Sequence, residues 1–201
     1  MPLTPAESTT KEKLLEAAKR LMLKKGCTAT TIDDICKAAG FTKGGFFHHF
    51  ESKEQLAEEV LDRFFTLQQE SIAKGGYRKH KDPLRRVYGY VNRLIELSKG
   101  PEMLSGCLLG SFTHEMAGTN PAMRGLCARR FAQWVEGFKQ DLDDAKAQHA
   151  PRTAFDTGSL SEHLIAVLQG SVILAKAQQD AKIVERNLQH FKRYMKELFD
   201  S

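Results

Sequence analysis

Residues 31–56 constrain the fold of this chain more than any other stretch. The segment reads TIDDICKAAGFTKGGFFHHFESKEQL. Four apolar residues at helical spacing form one face of its first helix: Ile32, Ile35, Cys36 and Ala39. Thr31 can cap this helix, and Gly40 can end it, because glycine readily adopts the left-handed conformation that follows a helix C-terminus. The segment therefore begins with a short helix that ends in a tight turn.

A second short helix follows directly. Thr42 can cap it, and the apolar pair Phe46 and Phe50 predicts a helix from Lys43 to about Phe50. Ser52 begins a capping-box pattern, SKEQ, that starts a third helix. Two short helices joined by a glycine-containing turn are the parts of a helix-turn-helix, whose second helix enters the major groove of DNA.

Bulk charge does not by itself identify a nucleic-acid-binding protein here. The chain has 201 residues, 41% hydrophobic and 27% charged, which is ordinary for a globular protein with a full core. Its net charge is +5, but residues 1–54 contain nine Lys or Arg and seven Asp or Glu, a net of only +2. Electrostatic attraction to DNA would therefore depend on where Lys37, Lys43 and Lys53 lie.

Several other classes of protein are not favoured. No apolar run approaches the roughly 18 residues of a membrane helix, and the first residues lack the apolar core of a signal peptide, so we expect a cytoplasmic protein without a membrane partner. No nucleophile–base pair, phosphate-binding glycine loop or metal cluster is apparent, so we predict neither an enzyme nor a cofactor or metal. Four scattered cysteines favour reduced thiols over disulfides: Cys27, Cys36, Cys107 and Cys127.

The rest of the chain shows helical periodicity and no strand alternation. After a weakly ordered arm of about eight residues, a capped helix that follows Thr9 would brace the helix-turn-helix, giving a three-helix DNA-binding domain over residues 1–54. Residues 55–201 would form a helical ligand-binding and dimerisation domain, in an all-α protein of about nine helices. Because no linker follows Ser52, the long helix that begins there would couple the two domains mechanically.

The N-terminal stretch also resembles a known family. Spaced positions over residues 10–56 are similar to the N-terminal signature of TetR/AcrR-type repressors: Thr31, Ile35, Ala39, Gly40, Gly44, Phe47, Phe50, Lys53 and Leu56. The resemblance implies a homodimeric repressor that binds a near-palindromic operator in double-stranded DNA and is released by a small-molecule effector. Phe47 departs from the family, which usually has tyrosine there, so a hydroxyl contact to phosphate would be lost.

The turn and the second helix supply the candidate DNA-contacting residues. Lys43 can reach a guanine edge or a phosphate, and two glycines in a helix would let the backbone approach DNA closely. Helix N-termini attract phosphate through their free N–H groups. The candidates are Thr31, Thr42, Lys43, Gly44, Gly45, Phe47, His48, His49 and Lys53. The alternative for the threonines is that they only cap helices, and adjacent histidines on a helix point too far apart to predict a metal site.

A second resemblance concerns Cys107. The runs LSGCL (104–108), His114-Glu115 and NPAMR (120–124) resemble a branch of TetR repressors that respond to reactive electrophiles such as N-ethylmaleimide. The resemblance implies that Cys107 is the sensing thiol and that Lys176 lies near it, and an adjacent ammonium favours the reactive thiolate. The alternative is that Cys107 is a small buried core residue, which is common for free cysteine.

An apolar effector that binds non-covalently would need a pocket. The aromatic residues Phe64, Tyr88 and Trp134 of the middle helices could line one, with plain core packing as the alternative for each.

The last two helices each carry an apolar face, and the residues of the final helix have a coiled-coil-like spacing. Such a pair either closes its own domain or meets the same pair of a second subunit, and the resemblance implies a dimeric four-helix bundle. Its interface residues would be Leu164, Leu168, Val172, Val184, Leu188, Phe191 and Met195. The competing function is a helical protein-interaction module that does not bind DNA, in which the residues of the second helix would be dispensable for partner binding.

Overall fold

The computed structural model of the chain describes residues 9–200, except for the side chains of residues 101 and 102, so the predicted arm at residues 1–8 lies outside it. This part of the chain is all-α, as the sequence predicts, and contains no strand. Its helices are α1 (Thr10–Lys25), α2 (Ile32–Ala39), α3 (Lys43–Phe47), α4 (Lys53–Ala73), α5 (Pro83–Ser98), α6 (Leu108–Met116), α7 (Pro121–His149), α8 (Thr157–Gln178) and α9 (Lys182–Asp200), with 3₁₀ turns at Tyr77–Lys79 and Pro101–Ser105.

Local capping chemistry explains where the first helices begin and end. The Thr31 side chain accepts a hydrogen bond from the N–H of Asp34, whose carboxylate accepts one from the N–H of Thr31 in return. Thr9 forms the same reciprocal capping box at the start of α1. Gly40 follows α2 in the left-handed conformation, with φ 77°. These sequence predictions are confirmed because each depends on contacts within one turn.

Helix α3 is shorter than predicted, because it ends at Phe47 instead of near Phe50. The N–H of His49 bonds to the carbonyl of Phe46, a tighter turn than that of an α-helix. Phe46 and Phe50 are both buried, with ring centroids 5.5 Å apart. The chain therefore turns early, while both rings remain in the core.

The described chain divides into two compact units, and α4 and α7 each have residues in both. The first contains residues up to Leu67 together with Leu108–Cys127. Within it, α1 packs on α2, α3 and α6. A 3₁₀ turn precedes α6, and Gly106, with φ 99°, separates this turn from the helix. A sequence reading would not have grouped α6 with the N-terminal helices.

The second unit contains residues 68–107 and 128–200. Here α9 packs against both α5 and α8. Among the described helices only α8 is long and apolar enough to cross a membrane, and 44% of its most apolar window is buried inside the protein. Core helices of globular proteins have the same properties, and the α8 residues Leu164 and Leu168 are indeed buried in this unit.

The expected dimer-interface residues lie inside the single chain. Each of the seven is at most 5% exposed: Leu164, Leu168, Val172, Val184, Leu188, Phe191 and Met195. The packing of α9 against α5 and α8 leaves no solvent-facing side for this apolar stripe. These side chains are therefore packed within their own chain.

Candidate functional site

The exposed side of α2 and α3 carries most of the predicted DNA-contacting residues. Phe46 points into the core, whereas its neighbour Phe47 is 54% exposed. Thr42 caps α3 by accepting a hydrogen bond from the N–H of Gly45. The candidates on this side are exposed or half-exposed: Thr31, Thr42, Lys43, Gly44, Gly45, Phe47, His48 and His49. Residues 42–49 are thus presented on or next to α3, whereas Thr31 lies at the start of α2.

The two glycines of α3 are not required by the fold of the chain. A Cβ atom added at Gly44 or Gly45 would meet no atom closer than 3.7 Å, which is ordinary contact, and neither residue has a positive φ. Glycine costs roughly 1 kcal/mol relative to alanine inside a helix. Since no contact inside the protein requires these glycines, the open space next to them leaves room for another molecule to approach the backbone closely.

Lys43 is paired in the free protein, but only weakly. Its ammonium lies 2.9 Å from a carboxylate oxygen of Asp33, and the two side chains are 61% and 68% exposed. Ion pairs this exposed contribute about 0–1 kcal/mol. Lys43 can therefore exchange this partner for a phosphate or a base edge at little cost.

Lys53 is used differently from the other candidates. Its ammonium donates to the carbonyl oxygens of Cys27 and Thr28, at 3.1 and 3.3 Å. The side chain thus fastens the N-terminus of α4 to the loop between α1 and α2. A contact between Lys53 and a phosphate stays a prediction.

Glu115, which the sequence reading did not single out as a site residue, contacts the same loop from α6. Its two carboxylate oxygens accept hydrogen bonds from the N–H of Cys27 at 2.9 Å and of Thr28 at 2.6 Å. Burial by itself raises the pKa of Glu115, but the hydrogen bonds from Thr28 and Cys27 and the charge of Lys53 outweigh it and lower the pKa. A carboxylate in the last turn of a helix opposes the helix dipole, and this was the signal available in the sequence.

Cys107 differs from the other three cysteines in its accessibility. It is half-buried, whereas Cys27, Cys36 and Cys127 are buried. Burial raises the pKa of Cys27 to about 11 and also raises that of Cys36. The reactive thiolate is therefore disfavoured at both of these buried positions.

Gln169, a residue that was missed, contacts Cys107, and the predicted Lys176 contacts the two residues before it. Gln169 donates a hydrogen bond to the Cys107 sulfur at 3.3 Å. Lys176 donates to the carbonyl oxygen of Ser105 at 3.4 Å, and its ammonium lies 3.7 Å from where a Cβ of Gly106 would stand. Gln169 and Lys176 are seven residues apart, which places them two turns apart on one face of α8. That spacing is the signal that could have identified Gln169.

The predicted effector-binding aromatics differ in burial. Trp134 is 2% exposed and donates its indole N–H to the Tyr90 hydroxyl at 2.7 Å. Tyr88, two residues from Tyr90, is half-buried, and its pKa is raised by burial and by the charge of Asp200. Phe64 is half-buried in the first unit. Trp134 is therefore a core residue whose hydrogen-bond partner is Tyr90. Sequence reasoning did not identify Tyr90.

The second unit also carries a surface groove. A groove of about 440 Å³ is lined by Lys81, Pro83, Arg86, Asp144, Ala147 and Gln148. Arg86 bonds to both Asp141 and Asp144, so the charges at this groove largely satisfy one another. Within residues 9–200, no group of three or more His, Cys, Asp or Glu side chains is placed to bind a metal ion.

The outward side of α8 and α9 exposes apolar residues. Ile173 and Leu174 on α8 are 54% and 48% exposed, and Tyr194 on α9 is 45% exposed. Tyr194 also packs its ring against His163, with centroids 5.9 Å apart. Contiguous exposed apolar patches are typical of protein interfaces, whereas single exposed apolar residues are normal on a surface.

Comparisons with known proteins agree with this geometry. Residues 14–60 match the sequence model of bacterial regulatory proteins of the tetR family, and residues 83–191 match that of the tetracyclin repressor-like C-terminal domain. The repressor DhaR of a Mycobacterium species is 29% identical over 196 residues, covering 98% of this chain and 93% of DhaR. The repressor NemR of Escherichia coli is 23% identical over 189 residues, covering 92% and 94% of the two chains.

Solved structures give the same result for the fold. A TetR transcriptional regulator from Chloroflexus aurantiacus superposes with a TM-score of 0.83 at 28% identity, covering 93% of this chain and 94% of that one. The reduced form of E. coli NemR superposes with a TM-score of 0.76 at 22% identity, covering 92% and 96%. Both matched domains are domains of transcriptional regulators, and these relatives are themselves regulators and not enzymes. The chain therefore belongs to the TetR family of bacterial regulatory proteins and is a transcriptional repressor of that family, with an N-terminal helix-turn-helix DNA-binding domain.

Proposed function

We propose that the chain acts in the cytoplasm as a homodimer that represses transcription by binding a near-palindromic operator and is released by an effector. The observation that carries the proposal is the exposed face of α3, where Lys43 stands beside two glycines that the fold does not need. A helix that forgoes stability in this way is suited to close approach between its backbone and DNA. His48, His49 and the capping residues Thr31 and Thr42 would add contacts to bases or phosphates.

The dimer would use the outward side of α8 and α9. Its exposed apolar residues Ile173, Leu174 and Tyr194 lack cover in a single chain, whereas the inner stripe of these helices is already packed. In a two-fold dimer, each apolar patch would meet its own copy. The two α3 helices would then reach successive major grooves, about 34–36 Å apart along B-form DNA.

The effector would act through the side chains of Cys107, Gln169 and Lys176. A half-buried thiol can be reached by a small electrophile such as N-ethylmaleimide, and its alkylation or oxidation would add bulk next to Gln169. Similarity to NemR along most of the chain supports this assignment at the level of the family branch. The competing role for Cys107 is that of a packing residue, in which case an ordinary reversible ligand would cause release.

The DNA-binding proposal is tested with a duplex that covers the DNA upstream of the chain's own gene. We expect wild-type protein to bind it more tightly than a random duplex of equal length, with an affinity that falls as salt rises. Replacing Lys43 and His49 by Ala should abolish the preference while leaving helix content unchanged. Lys79→Ala with His80→Ala, an exposed pair of the same types on the second unit, is the matched control. Equal binding of both duplexes by wild-type protein would favour the protein-interaction module instead.

The sensor proposal is tested by release of that duplex on treatment with N-ethylmaleimide. Wild-type protein should release it, whereas Cys107→Ser should retain it, and peptide mass spectrometry should find Cys107 alkylated well before Cys27. Equal release from both proteins would rule out Cys107. Resistance of both proteins would leave a reversible ligand as the effector.

The dimer proposal is tested by analytical ultracentrifugation. Ile173→Asp should shift the protein toward the monomer, because it places a charge in the apolar patch. Leu67→Asp, at an α4 residue that is 47% exposed, is the matched control and should remain dimeric. A dimer that survives the change at Ile173 would place the interface elsewhere.

A further inference from the structure

The loop between α1 and α2, residues 26–31, is fixed by charged side chains from two other helices. Glu115 of α6 accepts hydrogen bonds from the N–H groups of Cys27 and Thr28. Lys53 of α4 donates to the carbonyl oxygens of the same two residues. Two consecutive residues are thus bound through their N–H groups by a carboxylate and through their C=O groups by an ammonium.

The loop is shaped to receive the Glu115 carboxylate. Gly26 adopts φ 87°, a conformation that side chains rarely take, and a Cβ atom there would lie only 3.0 Å from a carboxylate oxygen of Glu115. The carboxylate lies in the last turn of α6 and just beyond the last residue of α1, where both helix dipoles disfavour negative charge. The favourable interactions of Glu115 therefore come from the loop N–H groups and from Lys53.

The same loop leads directly into the helix-turn-helix. Thr30 is fully buried, and its hydroxyl donates to the carbonyl oxygen of Gly26 at 2.6 Å. The next residue, Thr31, caps α2, and the Asp34 carboxylate of that capping box also binds Lys25 of α1 at 2.7 Å. A change in the position of residues 27 and 28 would therefore reach the start of α2, against which α3 packs.

We propose that Glu115 is a positioning residue for DNA binding: its carboxylate sets the α1–α2 loop, and through it the α2–α3 unit, in the geometry that fits the operator. This inference rests on the proposed function. Glu115 itself does not contact DNA. Lys53 is its counterpart on the carbonyl side of the loop. Any event that displaces α6 along its axis would withdraw the carboxylate and so weaken operator binding.

The test combines hydrogen exchange with DNA binding in wild-type protein and Glu115→Gln. The variant should lose amide protection at Cys27 and Thr28 and bind the upstream duplex about tenfold more weakly, as expected when a charged hydrogen-bonding partner is removed. Glu70→Gln, which removes an exposed carboxylate on α4, should match wild type in both measurements. Lys53→Met should reproduce the loss from the other side of the loop, and circular dichroism checks that each variant is folded.

A second readout separates positioning from simple stabilisation. If loop geometry and operator binding are coupled, the coupling is reciprocal, so adding the duplex to wild-type protein should slow exchange at Cys27 and Thr28. Unchanged exchange on adding DNA, or an affinity of Glu115→Gln within about twofold of wild type, would overturn the inference alone. Wild-type protein that does not distinguish the upstream duplex from random DNA would overturn the proposed function, and this inference with it.

Discussion

The ammonium of Lys43, on the first turn of α3, lies 2.9 Å from the carboxylate of Asp33 on α2. In the absence of DNA, Lys43, the candidate for a base contact, is thus paired with Asp33 on the preceding helix. An acid at this position would also face the phosphates of bound DNA. With α3 docked on DNA as proposed, we therefore expect Asp33 to lower the affinity for any duplex, whatever its sequence.

We predict that Asp33→Asn raises affinity for the operator and for random DNA alike, by about threefold at low salt. The gain should shrink as salt rises, because both groups are exposed and screened. A fluorescence-anisotropy titration at two salt concentrations measures it, with Glu70→Gln as the control for net charge. Affinity that stays unchanged at low salt would mean that α3 does not face the phosphates.

Gly44→Ala should separate stability from function. The added methyl group meets only Thr42 at 3.7 Å, so we expect thermal unfolding to show a gain of about 0.5–1 kcal/mol from improved helix propensity. Operator affinity should nevertheless fall by about tenfold, or ~1.4 kcal/mol, because the backbone can no longer approach the groove as closely.

The control for this change is Gly137→Ala on α7, where an added Cβ has nothing within 4 Å. It should stabilise the protein to a similar extent without any effect on DNA binding. If Gly44→Ala binds the operator as well as this control does, the glycine has no role in DNA approach.

Tyr90→Phe should destabilise the second unit. It leaves the buried indole N–H of Trp134 without its 2.7 Å acceptor, and an unsatisfied buried donor costs about 1–3 kcal/mol. Urea unfolding followed by Trp134 fluorescence measures the loss. Tyr88→Phe, at a half-buried residue two positions away, is the control and should cost less than about 0.5 kcal/mol.

Glu115 should make stability depend on pH in the acid range. Burial opposes its charge, but the loop N–H groups and Lys53 lower its pKa below that of the unfolded chain. The stabilisation is therefore complete above the unfolded pKa of about 4.3 and is lost as pH falls through the lower folded value. Glu115→Gln should flatten the corresponding part of the stability curve, measured by urea unfolding between about pH 5 and pH 3. A curve as steep as that of wild type would mean that other carboxylates account for the acid loss.

The sequence alone determined the features that depend on a single turn of chain. Thr31 and Gly40 mark the ends of α2 because capping groups and a left-handed glycine act on neighbouring peptide units. The same local signals carried the helix-turn-helix and the family resemblance, and the family is confirmed. The end of α3 was misjudged because the chain tightens after Phe47, although Phe46 and Phe50 keep the helical spacing of four and are both buried.

What only the tertiary structure decided is which neighbour each side chain meets. Helical spacing put Leu188 on an apolar face but could not say whether α5 and α8 or a second subunit would cover it, and the single chain buries it completely. Glu115 and Cys27 are 88 residues apart, so no local pattern predicts that one binds the backbone of the other. Periodicity identifies a face because it follows from the helix repeat, whereas partners across the core follow only from how the helices pack.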